Sequence, residues 1–449
     1  MQYWQQQNWS GHVRFHAARA HCPSSIAELQ ALVAQASRVR VIGSRHCFHD
    51  IADTDGDLIW LGGLQEPPVI DAAARQVTLH GGMTYEQLCP MLEAAGWALP
   101  NLPSLKHVTV VGACMTSTHG SGDQNGQLAT AIARLELVQP DGSLRVLERG
   151  RDGDAFHAAA ISMGALGVVA RLTLDLVPSF QVQQDCFERL PLERYLADFD
   201  AVSGAAYSVS AFTTWQQDWI DTVWLKRRLP SALPTSFYGA TPGPTGTPPT
   251  DRVLTPCGVP GAWHERLPHY AFNDALAVGD ELQSEYFVDR EHAPTAIRAV
   301  VGLRAGLAPI LGLSEVRTMA ADDLWLSCTQ GRPTVGIHFN WLKKGPEVEA
   351  FLPTLEAALA PFGARPHLGK LIALTPAQLA VERDALLQGG RTLEEVALMQ
   401  CGAVAGALLN DHHGLLRAVL SEMKLNVEAY NSTYGGWYGG DPRDFEPDP

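Results

Sequence analysis

Apolar and polar residues alternate most regularly in two late stretches, and both read as strands. In Leu313-Ser314-Glu315-Val316-Arg317-Thr318-Met319 the charged pair Glu315 and Arg317 stand two apart, as do His338 and Asn340 in Val335-Gly336-Ile337-His338-Phe339-Asn340-Trp341. Successive strand side chains point to opposite faces, so each polar pair shares a face and its apolar neighbours take the other. A sheet with one solvated side satisfies this pattern, and so does one that turns its polar side onto a bound molecule. Val168 to Leu176 alternates in the same way until Pro178 ends it. Ser24 or Ser25 opens an amphipathic helix running to about Ala36, and Thr84-x-x-Gln87 has the spacing of a capping box for a helix to Ala95. Leu58 to Leu61, Val69 to Asp71 and Gln76 to Leu79 read as short strands. Arg134 to Val138 and Leu144 to Glu148 flank Pro140-Asp141-Gly142-Ser143, which has the turn chemistry of a hairpin. Helices and strands mix without a strict βαβ rhythm, so the predicted class is α+β.

The chain has 449 residues, enough for two or three domains with cores of their own. The boundary falls after Pro178: residues 1–178 form one domain and 179–370 a second, with 371–449 as a closing segment. The Pro/Gly/Thr-rich stretch Ala240 to Thr250 reads as a surface loop of the second domain. A formal net charge of -15 repels phosphate backbones, which argues against a nucleic-acid partner. The run Met1-Gln2-Tyr3-Trp4-Gln5 has neither a basic nor an apolar leader character, and no stretch approaches the roughly 18 apolar residues of a membrane span. The expected location is therefore cytoplasmic. Eight cysteines are scattered without a CxxC pair, which predicts reduced thiols instead of disulfides or a zinc site.

Candidate chemistry begins at Val41-Ile42-Gly43-Ser44-Arg45-His46-Cys47-Phe48. A strand ending at Ile42 breaks into a turn at Gly43, and small residues there leave backbone N–H groups free to face an anion. His46 fits a nucleophile, a ligand or a packed loop residue. A second Gly-rich stretch, Gly112 to Gly122, reads GACMTSTHGSG and also carries a histidine. No G-x-G-x-x-G opens a helix after the first strand, which counts against an NAD-binding Rossmann domain. Zinc through His46-x-x-His49 or His412-His413 lacks a partnered ligand set, and a carbohydrate-binding protein without flavin is a further alternative suggested by the 11 tryptophans.

Several motifs, in order along the chain, resemble the vanillyl-alcohol-oxidase superfamily and in detail its bacterial alditol oxidases. They are Gly43-Ser44-x-His46-x-Phe48, Asn101-Leu102-Pro103-Ser104-Leu105, Thr116-x-Thr118-His119-Gly120-Ser121-Gly122, Gly164-Ala165-Leu166-Gly167-Val168-Val169, Gly258-Val259-Pro260-Gly261-x-Trp263-His264-Glu265-Arg266-Leu267-Pro268-His269, Glu315-Val316-Arg317 and Arg365-Pro366-His367-x-Gly369-Lys370. The resemblance implies a two-subdomain FAD-binding fold with an α+β substrate (cap) domain, acting as a monomer on a small polyol with O2 as the second substrate. It implies FAD attached through His46, which makes the flavin more electron-poor and suits it to oxidising an alcohol. Its FAD contacts map onto Ile42, Gly43, Ser44, Arg45, Cys47, Phe48, Ser104, Thr109, Gly112, Thr116, Thr118, His119, Gly120, Gly122, Gly164, Gly167, Val168 and Val169. Arg45 and Cys47 depart from the Gly and Ser commoner in the motif.

The same resemblance turns the two polar strand faces inward. Glu315, Arg317 and Lys370 are then catalytic, and with Ser104 and Asn340 they bind the polyol, Asn340 standing where the pattern carries Thr. Glu315 and Arg317 are expected to hold each other ionised. The implied reaction takes the terminal hydroxyl of xylitol or sorbitol to the aldose, with hydride passing to flavin N5 and O2 leaving as hydrogen peroxide. Pro103 stands where related oxidases carry a small residue that leaves oxygen room. An aldonolactone oxidase or an acceptor-dependent sugar-alcohol dehydrogenase is the alternative within the superfamily. The family's closing LDPxGxF-x-N segment is absent from residues 380–449, where Leu408-Leu409-Asn410-Asp411 is the nearest echo. The run Tyr434 to Gly440 and the acidic end read as a poorly ordered terminus.

Overall fold

The computed structural model describes residues 7–246, 254–270, 279, 281–367 and 369–373, and arranges their strands in sheets of three, five and nine, with one further two-stranded pairing. In the smallest sheet, Asp57–Trp60 lies between Arg19–His21 and Val39–Ile42, parallel to both. The predicted strand stops one residue early, at Trp60, because Leu61–Gly63 tightens into a 3-10 turn. Helix Ile26–Gln35 starts where Ser25 accepts the Glu28 N–H, and its face of Ile26, Leu29 and Val33 is buried. The capping box at Thr84 and Gln87 forms in both directions and opens helix Tyr85–Ala94.

The five-stranded sheet is antiparallel and centres on Val168–Asp175, between Gln76–His80 and Ile132–Val138. The predicted hairpin pairs Arg134 with Glu148 through to Val138 with Leu144. One apolar core serves both sheets, drawing Leu29, Ile59, Leu79, Leu88, Leu135 and Leu172 together.

After Val177–Pro178 pairs with Trp97–Ala98, the chain enters the nine-stranded antiparallel sheet at Gln181–Pro191. Four strands in its middle run in the order Ser208–Thr213, Leu311–Met319, Thr334–Leu342, Glu281–Asp289. Val335, Ile337, Phe339 and Trp341 are buried in one core with the apolar faces of helices Ala293–Gly302 and Gly345–Leu359. Each such side chain contributes about 1.5–3 kcal/mol when fully buried, so this face is committed to packing and the alternate residues must face the other way. The 112–125 segment is joined to this sheet by main-chain bonds: Gly122 N–H to Thr318 O at 2.8 Å and Ala320 N–H to Asn125 O at 2.9 Å.

One expectation is overturned: Cys186 and Cys257 form a disulfide. A bridge between Gln184 and Cys257 brings the two backbones together, Cα atoms 6.0 Å apart across 71 sequence positions, which no local spacing reveals. Cys22, Cys47, Cys89, Cys114 and Cys328 are free. In the Ala240 to Thr250 stretch, Thr241–Pro242 adds an exposed edge strand against Phe187 and Glu188, and 247–250 lie outside the described residues. The closing segment from 374 onward, with Leu408 to Asp411, His412-His413 and Tyr434 to Gly440, also lies outside them.

Candidate functional site

Close packing shapes the turn after Val39–Ile42. A Cβ on Gly43 would collide with Thr109 Oγ1, and one on Gly112 would lie 2.6 Å from the same oxygen, so the two glycines let the turn and helix Val110–Met115 meet. Thr109 N–H reaches Ser44 Oγ at 3.4 Å, and Arg45 takes a left-handed φ of 62° to swing the chain onto His46. The His46 ring is stacked on Trp9, centroids 4.4 Å apart, and its Nε2 lies 2.5 Å from Nε2 of His107. Burial, reinforced by His107, Arg45 and Lys370, pushes its pKa well below the usual histidine value, so the imidazole is neutral. Burial also pushes the Cys47 thiol up to about 12 and keeps it protonated.

A single long cavity starts at this turn, from Ile42 to Phe48, and takes in Thr109, Gly112, Thr116, Thr118 and His119. Gly164, Gly167, Val168 and Val169 form another part of its wall, and Ser104, Glu315, Arg317, Asn340 and Lys370 also line it. Of the residues named from sequence, Gly120 and Gly122 are not on this wall. Gly120 packs against the Asn101 side chain, and Gly122, at φ 129°, gives its amide to Thr318.

The polar face proposed from alternation is buried, which rules out the solvated-sheet reading. Glu285, His338 and Glu315 form one row across three strands, Gln283 pairs with Asn340 in the next, and Phe287, Gly336 and Arg317 make the row on the other side. Lys370 Nζ donates to Glu285 Oε2 at 2.6 Å and to His338 Nδ1 at 2.8 Å. Arg317 Nη2 donates to Glu285 Oε1 at 3.0 Å and Nη1 to Ser104 Oγ at 3.3 Å. Asn340 Nδ2 donates to Glu281 Oε2 at 2.8 Å. Burial alone would raise the Glu285 pKa, but Lys370, Arg317 and His119 hold this carboxyl well below the usual range. Burial lowers Lys370, an effect that Glu285 opposes, and lowers His338 to about 4, with Lys370 adding to the shift. At neutral pH His338 is therefore an uncharged acceptor.

The expected mutual ionisation of Glu315 and Arg317 is met on one side: Glu315 supports the charge on Arg317, whereas Arg317 only offsets the burial of Glu315. Arg317 Nε lies 3.6 Å from Glu315 Oε1, but the guanidinium makes its hydrogen bond to Glu285, and burial raises the Glu315 pKa. Glu315 Oε1 and Arg317 Nε are buried without a hydrogen bond, in two residues that line the cavity. Each orphaned group costs about 1–3 kcal/mol, which a hydroxylated ligand would recover.

Glu285, Gln283 and His269 were missed as site residues. Glu281-x-Gln283-x-Glu285 alternates as the two recognised strands do, so the signal for the first two was present. His269 Nε2 lies 3.4 Å from Glu315 Oε1. The Trp263 to His269 motif thereby gains a physical role: buried Lys226 donates to Leu267 O at 2.5 Å and Pro268 O at 2.8 Å, and His269 N–H bonds Ser104 O at 3.1 Å. Trp263 Nε1–H holds Glu93 at 2.8 Å.

Among the described residues, ligating atoms of His119, Glu285 and His367 lie within 4.8 Å of one another. Lys370 and Arg317 already occupy the Glu285 oxygens, and two cations at that spot repel a third, so the cluster does not suit a metal ion. His119 Nδ1–H donates to Gly120 O at 2.8 Å, so its Nε2, 3.2 Å from Glu285 Oε1, is a donor only when the ring is protonated. His119 is thus bonded within its own loop. The other zinc alternative fails at His46, whose Nε2 is turned onto His107.

Residues 17–148 match the FAD binding domain family, and residues 271–393 match the D-arabinono-1,4-lactone oxidase family. The chain is 43% identical over 383 residues to an alditol oxidase of Streptomyces sp., covering 83% of this chain and 90% of that protein. It is 30% identical over 386 residues to an L-gulono-1,4-lactone dehydrogenase of Mycobacterium tuberculosis, covering 81% and 89%. The crystal structure of cholesterol oxidase from B. sterolicum superposes with a TM-score of 0.73 at 13% identity, covering 97% of this chain and 96% of that one, a likeness of fold alone. No described helix is long and apolar enough to cross a membrane.

Proposed function

The chain belongs to the FAD-linked oxidase family that contains the alditol oxidases, and from that membership we propose that it oxidises the terminal hydroxyl of alditols such as xylitol and sorbitol to the aldose, with O2 as the electron acceptor. The observation that carries this reading is the cavity itself, which joins the His46 turn to the buried row of Glu285, His338 and Glu315. The residues fit FAD: Gly43 and Gly112 keep the wall beside Thr109 thin, and His46 is neutral, half-buried and on the cavity wall, as an attachment residue needs to be. When bound, FAD supplies the hydride acceptor at N5, which the protein's side chains cannot.

The chain's own residues then bind, orient and neutralise. A polyol is strongly hydrated, so its water contacts must be replaced by fixed partners. Ser104, Asn340, Glu315 and Arg317 offer donors and acceptors along the wall, and the open Glu315 Oε1 accepts from a hydroxyl. Lys370 stabilises the alkoxide character that grows as C1 loses hydride and O1 loses its proton. The two electrons and two protons removed from the alcohol reduce O2 to H2O2, and Pro103 beside Ser104 lines the same cavity. In this reading residues 1–178 carry the cofactor and 179–370 the substrate.

The match of residues 271–393 to the lactone oxidase family favours a second reading, an aldonolactone substrate. Anaerobic mixing of the holoenzyme with xylitol, sorbitol and L-gulono-1,4-lactone separates the two. Faster bleaching of the flavin by the lactone than by either alditol overturns the alditol reading, and aerobic turnover without peroxide overturns the choice of acceptor.

A further inference from the structure

Resting on the alditol reading, we propose that Glu285 is a positioning residue: its carboxylate fixes the Lys370 ammonium and the Arg317 guanidinium together over the substrate's reacting oxygen. Glu285 is fully buried on Glu281–Asp289, and each of its oxygens is bound by a different cation, Oε2 by Lys370 at 2.6 Å and Oε1 by Arg317 at 3.0 Å. Lys370 has three N–H bonds. Glu285 takes one and His338 Nδ1, 2.8 Å away, takes the second, which leaves the third for the cavity that Lys370 lines. Arg317 is held just as firmly, between Glu285 and Ser104 Oγ.

Gly336 makes the arrangement possible. It sits in the row between Phe287 and Arg317, and a Cβ there would lie 3.0 Å from Glu285 Oε1 and 3.2 Å from the Phe287 ring. Without a side chain at 336, the guanidinium from one strand reaches a carboxylate two strands away. A glycine inside a central strand weakens it unless close approach requires one, and here it does.

The groups that act on Lys370 electrostatically are Glu285, Arg317 and Glu315, together with His46, His119, His338 and His367. Glu285 is the largest influence keeping the ammonium charged against its burial. Replacing it with neutral glutamine keeps the shape and removes that support.

The test is flavin reduction by xylitol in the anaerobic holoenzyme, followed from pH 6 to 10 in the parent and in Glu285→Gln, with xylitol affinity measured by calorimetry on the pre-reduced proteins. The expected result is at least a tenfold slower reduction at pH 8, an alkaline limb displaced to lower pH by one unit or more, and an affinity changed less than threefold. Glu285→Asp, which keeps the charge, should restore the parental limb. If the limb stays where the parent has it, Glu285 does not position the cations. Should Glu285→Gln fail to fold, Gly336→Ala decides. It keeps every charge and crowds Glu285 Oε1 away from Arg317, so at least fivefold slower reduction with an unmoved limb supports the proposal and parental speed overturns it. A parent that xylitol does not reduce at all defeats the alditol reading instead, and the same pH series is then run with L-gulono-1,4-lactone, where an unmoved limb in Glu285→Gln again overturns the role of Glu285.

Discussion

Nε2 of His46 and Nε2 of His107 lie 2.5 Å apart, so one ring donates the proton and the other accepts it. The His46 ring cannot be charged cheaply there, because burial, His107, Arg45 and Lys370 all lower its pKa. A neutral imidazole is the form that can be alkylated. We expect flavin fluorescence to travel with the polypeptide after denaturation in SDS, and His46→Ala to release all its FAD and oxidise xylitol at least tenfold more slowly. Fluorescence left in the His46→Ala band would place the attachment elsewhere.

Lys370 and Glu315 should fail in different ways. In the proposed oxidation Lys370 meets developing charge and Glu315 meets the ground-state hydroxyls, so Lys370→Ala should lower the limiting rate of flavin reduction by about 100-fold or more, equivalent to ~2.7 kcal/mol of transition-state stabilisation. Glu315→Gln should mainly raise the xylitol concentration needed, by about tenfold. Parental reduction in Lys370→Ala would remove the lysine from the chemistry.

Acid should destabilise the fold through its buried imidazoles. Burial first, then Lys370, lowers His338 from 6.5 to about 4. Between those values the unfolded chain binds more protons than the folded one, so this contribution is intact above pH 6.5 and is lost as pH falls toward 4. At 1.36 kcal/mol per unit the loss is roughly 3 kcal/mol for this residue. His338→Gln keeps an acceptor for Lys370, and its melting temperature should fall less than the parent's between pH 7 and pH 4.5. Equal falls would show that His338 is not a main site of proton uptake.

Trp263→Phe removes the Nε1–H bond to Glu93 and also leaves a cavity where part of a fully buried ring was. A hydrogen bond to a carboxylate is worth about 1.5–3 kcal/mol and the cavity adds to it, so chemical denaturation should show a loss of at least that size with an unchanged xylitol affinity. A stability within about 0.5 kcal/mol of the parent, the spread typical of neutral substitutions, would mean that the motif packs without this bond.

Local rules made much of the fold legible. The caps at Ser25 and Thr84, the 139–143 turn and the alternation of Glu315/Arg317 and His338/Asn340 each depend on neighbours a few positions away, and each is found as read. Which side of the sheet faces inward was not legible, since alternation is the same for a wet face and a buried one. Glu285 was hidden for a related reason: its importance comes from Lys370 and Arg317, 85 and 32 positions along the chain. Gly120 and Gly122 share the Gly-rich composition of their neighbours, yet close packing sets Gly120 against Asn101 and a left-handed φ and a main-chain bond turn Gly122 toward Thr318. The Cys186–Cys257 pair likewise depends on a long-range bridge.

The bonds from Gly122 to Thr318 and from Ala320 to Asn125 flank Met319, the last residue of the strand that carries Glu315 and Arg317. The loop that carries His119 is thus stitched, atom to atom, onto the strand that carries Glu315 and Arg317. Parting them like jaws would leave four main-chain groups without partners, at about 1–3 kcal/mol each if kept from water. The spacing of these two cavity walls is therefore held by main-chain bonds of the fold itself. In the proposed oxidation such a frame acts as a fixed die for the polyol.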